Sequence, residues 1–450
     1  MSLGLAMIVK DAEAELPACL ASVAGVVDEI VIADTGSRDG TVGCARGLGA
    51  RVVEIPWEED FARARNRGLE AVRSDWVLVL DADERLEPGP VGAWRAQLAS
   101  GSDAFQVTIR NYVSSLGARV WDRVALANDG AWAEAAGYPG YIEHENVRLF
   151  RRRPELYFVG RVHESVGPRV RAAGLRLGTG RGRIHHFGLA RGAEETAAKN
   201  RRYRQLCQRK AAEQPEDFQA HFELGVMEFD NFHNDAEALR CFERSLRLQP
   251  GFALAWFFAG ATLQRLGHAA EALEFFAQAE QRGGTAPQMA ELQGDALYQA
   301  GRFGEAGARY REARRRQPGH AGLASKAGLA ELRAGERERG LRRLRRAVEA
   351  APERGDNHDR LITALVWCED WAGAAEALAA RIARFPQQAQ GYLRLAAVQA
   401  ERGQAGAARE ALEAGLGALP EDLQLRQAWC ELGLAGGPLK PPPPGADRSA

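Results

Sequence analysis

The sequence predicts an α/β domain followed by an all-α repeat solenoid. Three observations carry that prediction. Four short apolar runs, 3–9 (LGLAMIV), 29–33 (EIVIA), 51–55 (RVVEI) and 76–80 (WVLVL), alternate with segments of helical length. Polar and acidic residues gather just past the ends of those runs. After residue 215 the pattern changes to a period of 34 residues.

Helices are expected over 12–25, 38–48 and 59–73, as crossovers between the strands. Such alternation makes a largely parallel sheet covered on both faces, with ligands bound beyond the carboxyl ends of the strands. At those ends lie Lys10-Asp11, Asp34-Thr35-Gly36-Ser37 and Asp81-Ala82-Asp83-Glu84. The last group poses a physical question. Carboxylates packed that closely repel one another and resist desolvation at the end of a buried strand. Either a cation sits among them or they fan out into water. In extended chain, residues i and i+2 face the same way, so Asp81 and Asp83 can converge on a divalent ion. In IVIADTGSRDGT, Asp34 and Ser37 read by themselves as turn formers and Asp39 as a helix cap. No G-x-G-x-x-G is present there, so NAD binding has little support.

Taken in order, DTGSRDGT after a strand, FARARNRGLEAV and WVLVLDADE resemble the family-two glycosyltransferases of GT-A fold, over about residues 3–190. The resemblance implies a Rossmann-like nucleotide-sugar-binding domain. It implies that Asp34 contacts the nucleotide base or ribose, and that Arg65 and Asn66 lie near the nucleotide. It also implies that Asp81 and Asp83 hold the sugar nucleotide and its divalent metal. Many relatives carry KNE after the first strand; this chain has Lys10-Asp11-Ala12, so a base contact from Asp11 is not carried over.

Further along, AFQVTIRNYV (104–113) alternates as a half-buried strand does, and NVRLFRR (146–152) reads as another. Between them Trp121, Trp132, Tyr138 and Tyr141 serve either as a floor for a sugar or acceptor, or as a small hydrophobic cluster. The run RLF…F-x-G-x-V-H-E, followed by I-H-H-F-G, resembles a bacterial subgroup of these transferases. That subgroup includes lipopolysaccharide-core glucosyltransferases and peptide S-glycosyltransferases, some with helical repeats appended. It implies Glu164, 81 residues after Asp83, as the base of an inverting transfer. It implies His186 as a metal ligand, with His185 as its rival. Two carboxylates and an imidazole suit Mn²⁺, with Mg²⁺ second.

Pro250, Pro318, Pro352, Pro386 and Pro420 fall on the 34-residue grid, with Gly284 in the remaining slot. Twelve residues before each grid point stand Ala238, Ala272, Ala306, Gly340, Ala374 and Ala408; eight before it come Phe242, Phe276, Tyr310, Leu344, Leu378 and Leu412. Small residues let two helices approach, the bulky one fills their seam, and proline ends the second helix. Gly267, Gly301, Gly335 and Gly403 mark turns between paired helices. The period resembles the tetratricopeptide repeat, in six units over about 218–422, the first with a one-residue insertion near FDNFHND. DLQLRQAWCELGL (422–434) then reads as a capping helix.

At 450 residues the chain exceeds one ordinary core. It is 46% hydrophobic and 26% charged with a formal net charge of −1, which gives no global attraction to nucleic acid or an anionic membrane. Six scattered cysteines without a C-x-x-C pair read as free thiols in a reducing cytoplasm. The opening MSLGLAMIVKD lacks a basic leader, and no run approaches the ~18–20 apolar residues of a membrane span. A cytoplasmic protein is expected.

The expected limits are 1–195 for the transferase domain, 196–217 for a linker helix, 218–434 for repeats and cap, and 435–450 for a disordered proline-rich tail. The expected function is a metal-dependent, inverting hexosyltransferase. Its donor is a nucleoside-diphosphate sugar, UDP-sugar first, and its acceptor a peptide or protein recruited by the repeats, which otherwise pair two chains. The alternatives are transfer to a lipopolysaccharide-core or lipid-linked saccharide, and a non-catalytic scaffold with a vestigial transferase domain.

Overall fold

The computed structural model describes residues 1–87, 91–115, 118–120, 123–188, 193–318 and 320–436. Trp121 and the tail from residue 437 lie outside them. Two compact units divide the chain: 1–262 with 279–286, and 263–278 with 287–450.

In the first unit, β1 (Leu3–Val9), β2 (Glu29–Asp34), β3 (Arg51–Glu54) and β4 (Trp76–Val79) form where the apolar runs lie. They pair in parallel in the order β3-β2-β1-β4. Helices α1 (Leu16–Ser22), α2 (Thr41–Gly47) and α3 (Phe61–Ala71) connect them, each shorter than its expected span. Asp60 caps α3 by accepting from the Arg63 amide at 2.9 Å, and extended backbone at Val72 ends the helix. Leu3, Leu5, Met7 and Val9 bury with Trp76, Leu78 and Leu80 in one cluster, and Ala6, Val31, Val77 and Val79 in another. Both faces are apolar, which is why the strands read as continuous runs.

Beyond β4 the largely parallel expectation is corrected. The chain continues through β5 (Glu84–Leu86), α4 (Val91–Ala96) and β6 (Ala104–Val113). Then come β7 (Arg119–Val120), β8 (Arg123–Val124), β9 (Leu126–Ala127), β10 (Gly140–Arg151), α5 (Gly167–Ala172) and β11 (Leu177–His186). The sheet order is β3-β2-β1-β4-β10-β6-β11-β5. β10 runs antiparallel to both β4 and β6, and β11 is parallel to β6 but antiparallel to β5. β10 is also longer than the predicted 146–152: its first half pairs with β6 from Gly140 onward.

Helix α6 (Ala193–Glu213) overlaps the linker helix expected over 196–217, and it packs within the first unit. Leu206 and Cys207 of α6 bury in one cluster with Val162 of the sheet domain and with Ala220, Leu224 and Cys241. A buried Lys210–Glu223 pair at 2.7 Å and an Arg161–Glu213 pair at 2.6 Å add to it.

Six helix pairs follow: α7 (Phe218–Asp230) with α8 (Asp235–Leu248), α9 (Ala253–Arg265) with α10 (Ala269–Gln281), and α11 (Met289–Gln299) with α12 (Phe303–Arg316). The rest are α13 (Gly322–Arg333) with α14 (Arg337–Ala350), α15 (Gly355–Trp367) with α16 (Trp371–Arg384), and α17 (Ala389–Glu401) with α18 (Ala405–Ala418); α19 (Leu423–Gly436) caps them. Within pairs the fit is close: a Cβ on Gly225 would meet Phe242 at 2.6 Å, and one on Gly294 would meet Tyr310 at 2.6 Å. The inner turns share one left-handed slot, filled by His233, Gly267, Gly301, Gly335, Glu369 and Gly403. Among the described residues, no helix is long and apolar enough to cross a membrane.

Candidate active site

The acids that end β4 meet cations supplied by other elements. Arg65, on α3, donates from Nη2 to Asp81 at 2.7 Å and from Nε to Glu164 at 2.6 Å. Arg148, on β10, donates to Glu84 at 2.8 Å and lies 3.7 Å from Asp81. Burial opposes the charge on Asp81, but Arg65 and Arg148 hold its carboxyl well below the usual carboxylate range. Glu84, 1% exposed, is pushed upward by burial despite Arg148, and it also accepts from the Asp81 amide at 2.9 Å. The acids therefore do not fan out into water. Two guanidiniums and an imidazole face them.

The imidazole is His186. Residues 185 and 186 point to opposite faces of β11. His185, 2% exposed, lies against Trp132 and hydrogen-bonds the Tyr112 hydroxyl at 2.7 Å through Nδ1. Burial pushes its pKa down to about 3. The aromatics Trp132, Tyr138 and Tyr141 pack in this cluster with Tyr112 and Phe187, so they act as core. His186 instead turns Nε2 toward Asp83 at 3.4 Å. Burial works against its charge, but Asp83, Glu84 and Asp81 raise its pKa.

The remaining predicted residues separate. Asp34 accepts from the Gly36 and Ser37 amides, both at 3.0 Å, and from the Ser37 hydroxyl. Asp11 in turn binds the Arg38 amide at 2.7 Å, so the loops after β1 and β2 are knitted into one rim. Asn66 spends its amide on the Phe158 backbone, accepting at 2.8 Å and donating at 3.0 Å. That bond pins to α3 the loop that carries Glu164. Arg65, Asp81 and Glu164 line a cavity of about 610 Å³ with Arg148, His144 and His163; Leu254, at the start of α9, also borders it.

Asp83 and His186 offer a carboxylate oxygen and an imidazole nitrogen to a divalent ion, a donor set that fits Mn²⁺ or Mg²⁺ completed by phosphate oxygens. The Asp81 carboxylate is held by arginines instead, and among the described residues no group of three His, Cys, Asp or Glu side chains could enclose a metal. Arg148 and Asn111 escaped the sequence reading. The available signal was a cation or amide inside an otherwise apolar strand, in NVRLF and TIRNYV.

A mixed sheet whose first four strands are parallel, with acids converging past β4, has the GT-A-like arrangement. Residues 5–156 match the Glycosyl transferase family 2 model, so this chain joins a family 2 domain to tetratricopeptide repeats. It is 33% identical over 230 residues to a TPR repeat-containing protein of Synechococcus elongatus, covering 49% of this chain and 51% of that one. It is 36% identical over 85 residues to an uncharacterized glycosyltransferase of Rickettsia typhi, covering 18% and 27%. Against the glycosyltransferase SunS of Bacillus subtilis, identity is 26% over 163 residues, covering 35% and 33%. The chain thus spans about half or less of these relatives' lengths. Among solved structures, the C-terminal part of a TPR repeat-containing protein from Cytophaga hutchinsonii is 16% identical, covering 47% and 84%, with a TM-score of 0.40. The APC/C hetero-tetramer Cut9–Hcn1 is 16% identical, covering 53% and 47%, with a TM-score of 0.39.

Proposed function

We propose that the chain is a metal-dependent, inverting transferase that moves a sugar from a nucleoside-diphosphate sugar, UDP-sugar first, to a peptide or protein acceptor. The observation that carries this reading is one guanidinium, Arg65, bridging Asp81 and Glu164 at the wall of one cavity. In this reading Glu164 takes the acceptor's proton. Arg65 grips Oε1, which orients the carboxylate and leaves Oε2 for that proton. Asp81 orients the sugar nucleotide, and Arg65 keeps its carboxylate ionised. Asp83 and His186 would hold Mn²⁺ or Mg²⁺, which when bound neutralises the diphosphate leaving group. Helix pairs of the repeat type commonly present a polypeptide-binding surface, which supports a peptide or protein acceptor. A vestigial domain need not retain this partnered geometry, so the scaffold reading ranks lower.

The test is a nucleotide panel read by thermal shift and donor hydrolysis. UDP with Mn²⁺ at a hundred times its dissociation constant should stabilise the chain by about 2.7 kcal/mol. A shift with GDP or dTDP but not with UDP overturns the uridine assignment. No shift with any nucleotide overturns the transferase reading in favour of the scaffold.

A further inference from the structure

Three strands set a transverse row on the sheet beside the cavity. Ile142 of β10 pairs with Asn111 of β6, and Asn111 pairs with His186 of β11. The Asn111 side chain, in a residue 8% exposed, makes three hydrogen bonds, to both neighbours in that row and to His144. Its Nδ2 lies 3.1 Å from the Ile142 carbonyl and 2.8 Å from His144 Nδ1, and its Oδ1 lies 2.7 Å from His186 Nδ1.

Those bonds admit one assignment of protons. A backbone carbonyl only accepts, so the amide nitrogen must be the atom that faces Ile142. That orientation is therefore forced by the fold. The second amide hydrogen points at His144 Nδ1, which must accept it, so the proton of a neutral His144 sits on Nε2. The amide oxygen can only accept, so His186 Nδ1 must donate. One amide thus fixes opposite states at two Nδ1 atoms, bare on His144 and protonated on His186. His144 lines the cavity with Nδ1 occupied, which leaves Nε2–H for a ligand. Burial, with Arg148 and Arg123 nearby, pushes its pKa down to about 4, so the ring is neutral at neutral pH.

We infer that Asn111 is a tautomer-setting residue, and that His144 Nε2–H donates to an uncharged hydroxyl of the transferred sugar. In that reading the sugar enters the cavity lined by Asp81 and Glu164, with the acceptor between it and the base, and His144 lines the same cavity. This second half rests on the transferase reading; the tautomer assignment does not.

The experiment uses the full chain without metal, with its nine histidines labelled with ¹⁵N and His144 assigned through His144→Gln. At pH 7.5 the long-range ¹H–¹⁵N spectrum should show His144 neutral with its proton on Nε2. In Asn111→Asp a carboxylate accepts from both rings, so His144 should switch to Nδ1–H or become charged. A neutral His144 with its proton on Nδ1, or a charged one, in the unaltered chain would overturn the lock. In UDP-glucose hydrolysis with Mn²⁺, His144→Phe should raise KM by roughly 3- to 10-fold, the worth of one neutral hydrogen bond. His144→Gln, which can still donate, should stay near the unaltered value, and affinity for UDP alone should not move in either variant. An unchanged KM in His144→Phe overturns the sugar contact while the spectrum still decides the lock. No hydrolysis by the unaltered chain counts against the transferase reading alone.

Discussion

The repeat array and the acidic edge of the sheet both bury carboxylates, but they balance them differently. In the array, Glu331 is 2% exposed and receives Arg311 at 3.0 Å and Arg343 at 2.8 Å. Lys326 likewise reaches Glu291 and Asp295, each at 2.8 Å. These pairs run between neighbouring helices of the array, from α11, α12 and α14 to α13. At the sheet edge, Asp81, Asp83, Glu84 and Glu164 face Arg65, Arg148 and His186, and four of these, Arg65, Asp81, Arg148 and Glu164, line a cavity. Ion pairs between packed helices serve the architecture, whereas charges that border a cavity can also meet a ligand.

The largest expected effect breaks the chemistry at that edge. Glu164→Gln keeps the shape and removes the proposed base, so transfer should fall by roughly 10²–10⁴-fold while nucleotide affinity barely changes. Asp83→Asn should instead weaken metal-dependent nucleotide binding, read by calorimetry with and without Mn²⁺. Transfer at the unaltered rate in Glu164→Gln would move the base elsewhere, with Glu145, another residue lining the cavity, next to test.

The next effect separates the two regions by stability. Arg148→Met leaves Glu84 buried with its main cation removed, which should cost about 3–5 kcal/mol in chemical denaturation. Adding Glu84→Gln should recover part of it. Arg343→Met should cost less, because Glu331 keeps Arg311. Equal losses at the two sites would erase the distinction between them.

A smaller effect follows from pH. His185 titrates near 3 in the fold and near 6.5 when free. Below about 6.5 the unfolded chain takes up a proton that the folded chain does not, so stability falls as pH drops toward about 3. His144, at about 4, acts in the same direction. Melting temperature from pH 7 to 5 should therefore decline, and less steeply in His185→Phe. Parallel declines in both proteins would show that His185 is accessible to protons.

How much was legible divides along the same line. The array was readable because its physics is periodic: the close approach of Gly225 to Phe242 recurs at Gly294 with Tyr310 and at Gly328 with Leu344. The first four strands were readable because both faces are apolar. At the edge, the acids and His186 lie in local motifs, but their partners come from distant elements. Arg148 is 64 residues from Glu84, and Asn111 is 75 from His186. A periodicity or motif cannot express such pairings; only sheet register brings them together. The same holds for the mixed half of the sheet, whose antiparallel order depends on which strand fills the gap beside β4.

The smallest effect returns to the repeat turns. His233, Gly267, Gly301, Gly335, Glu369 and Gly403 share one left-handed slot, with φ from 51° to 93°. An L side chain pays a steric cost there that glycine avoids, offset in part by glycine's greater freedom in the unfolded chain. Glu369 is exposed at φ 55°, so relief of backbone strain is the main consequence of replacing it. Glu369→Gly should stabilise the chain by about 0.5–1 kcal/mol. His233→Gly should gain less, since histidine tolerates this region better than most residues. Gly335→Ala meets no atom within 4 Å, so its loss should come from backbone strain alone and run about 1 kcal/mol the other way. Urea titrations of the three variants would show the ordering, and destabilisation by Glu369→Gly would mean that its side chain holds the turn.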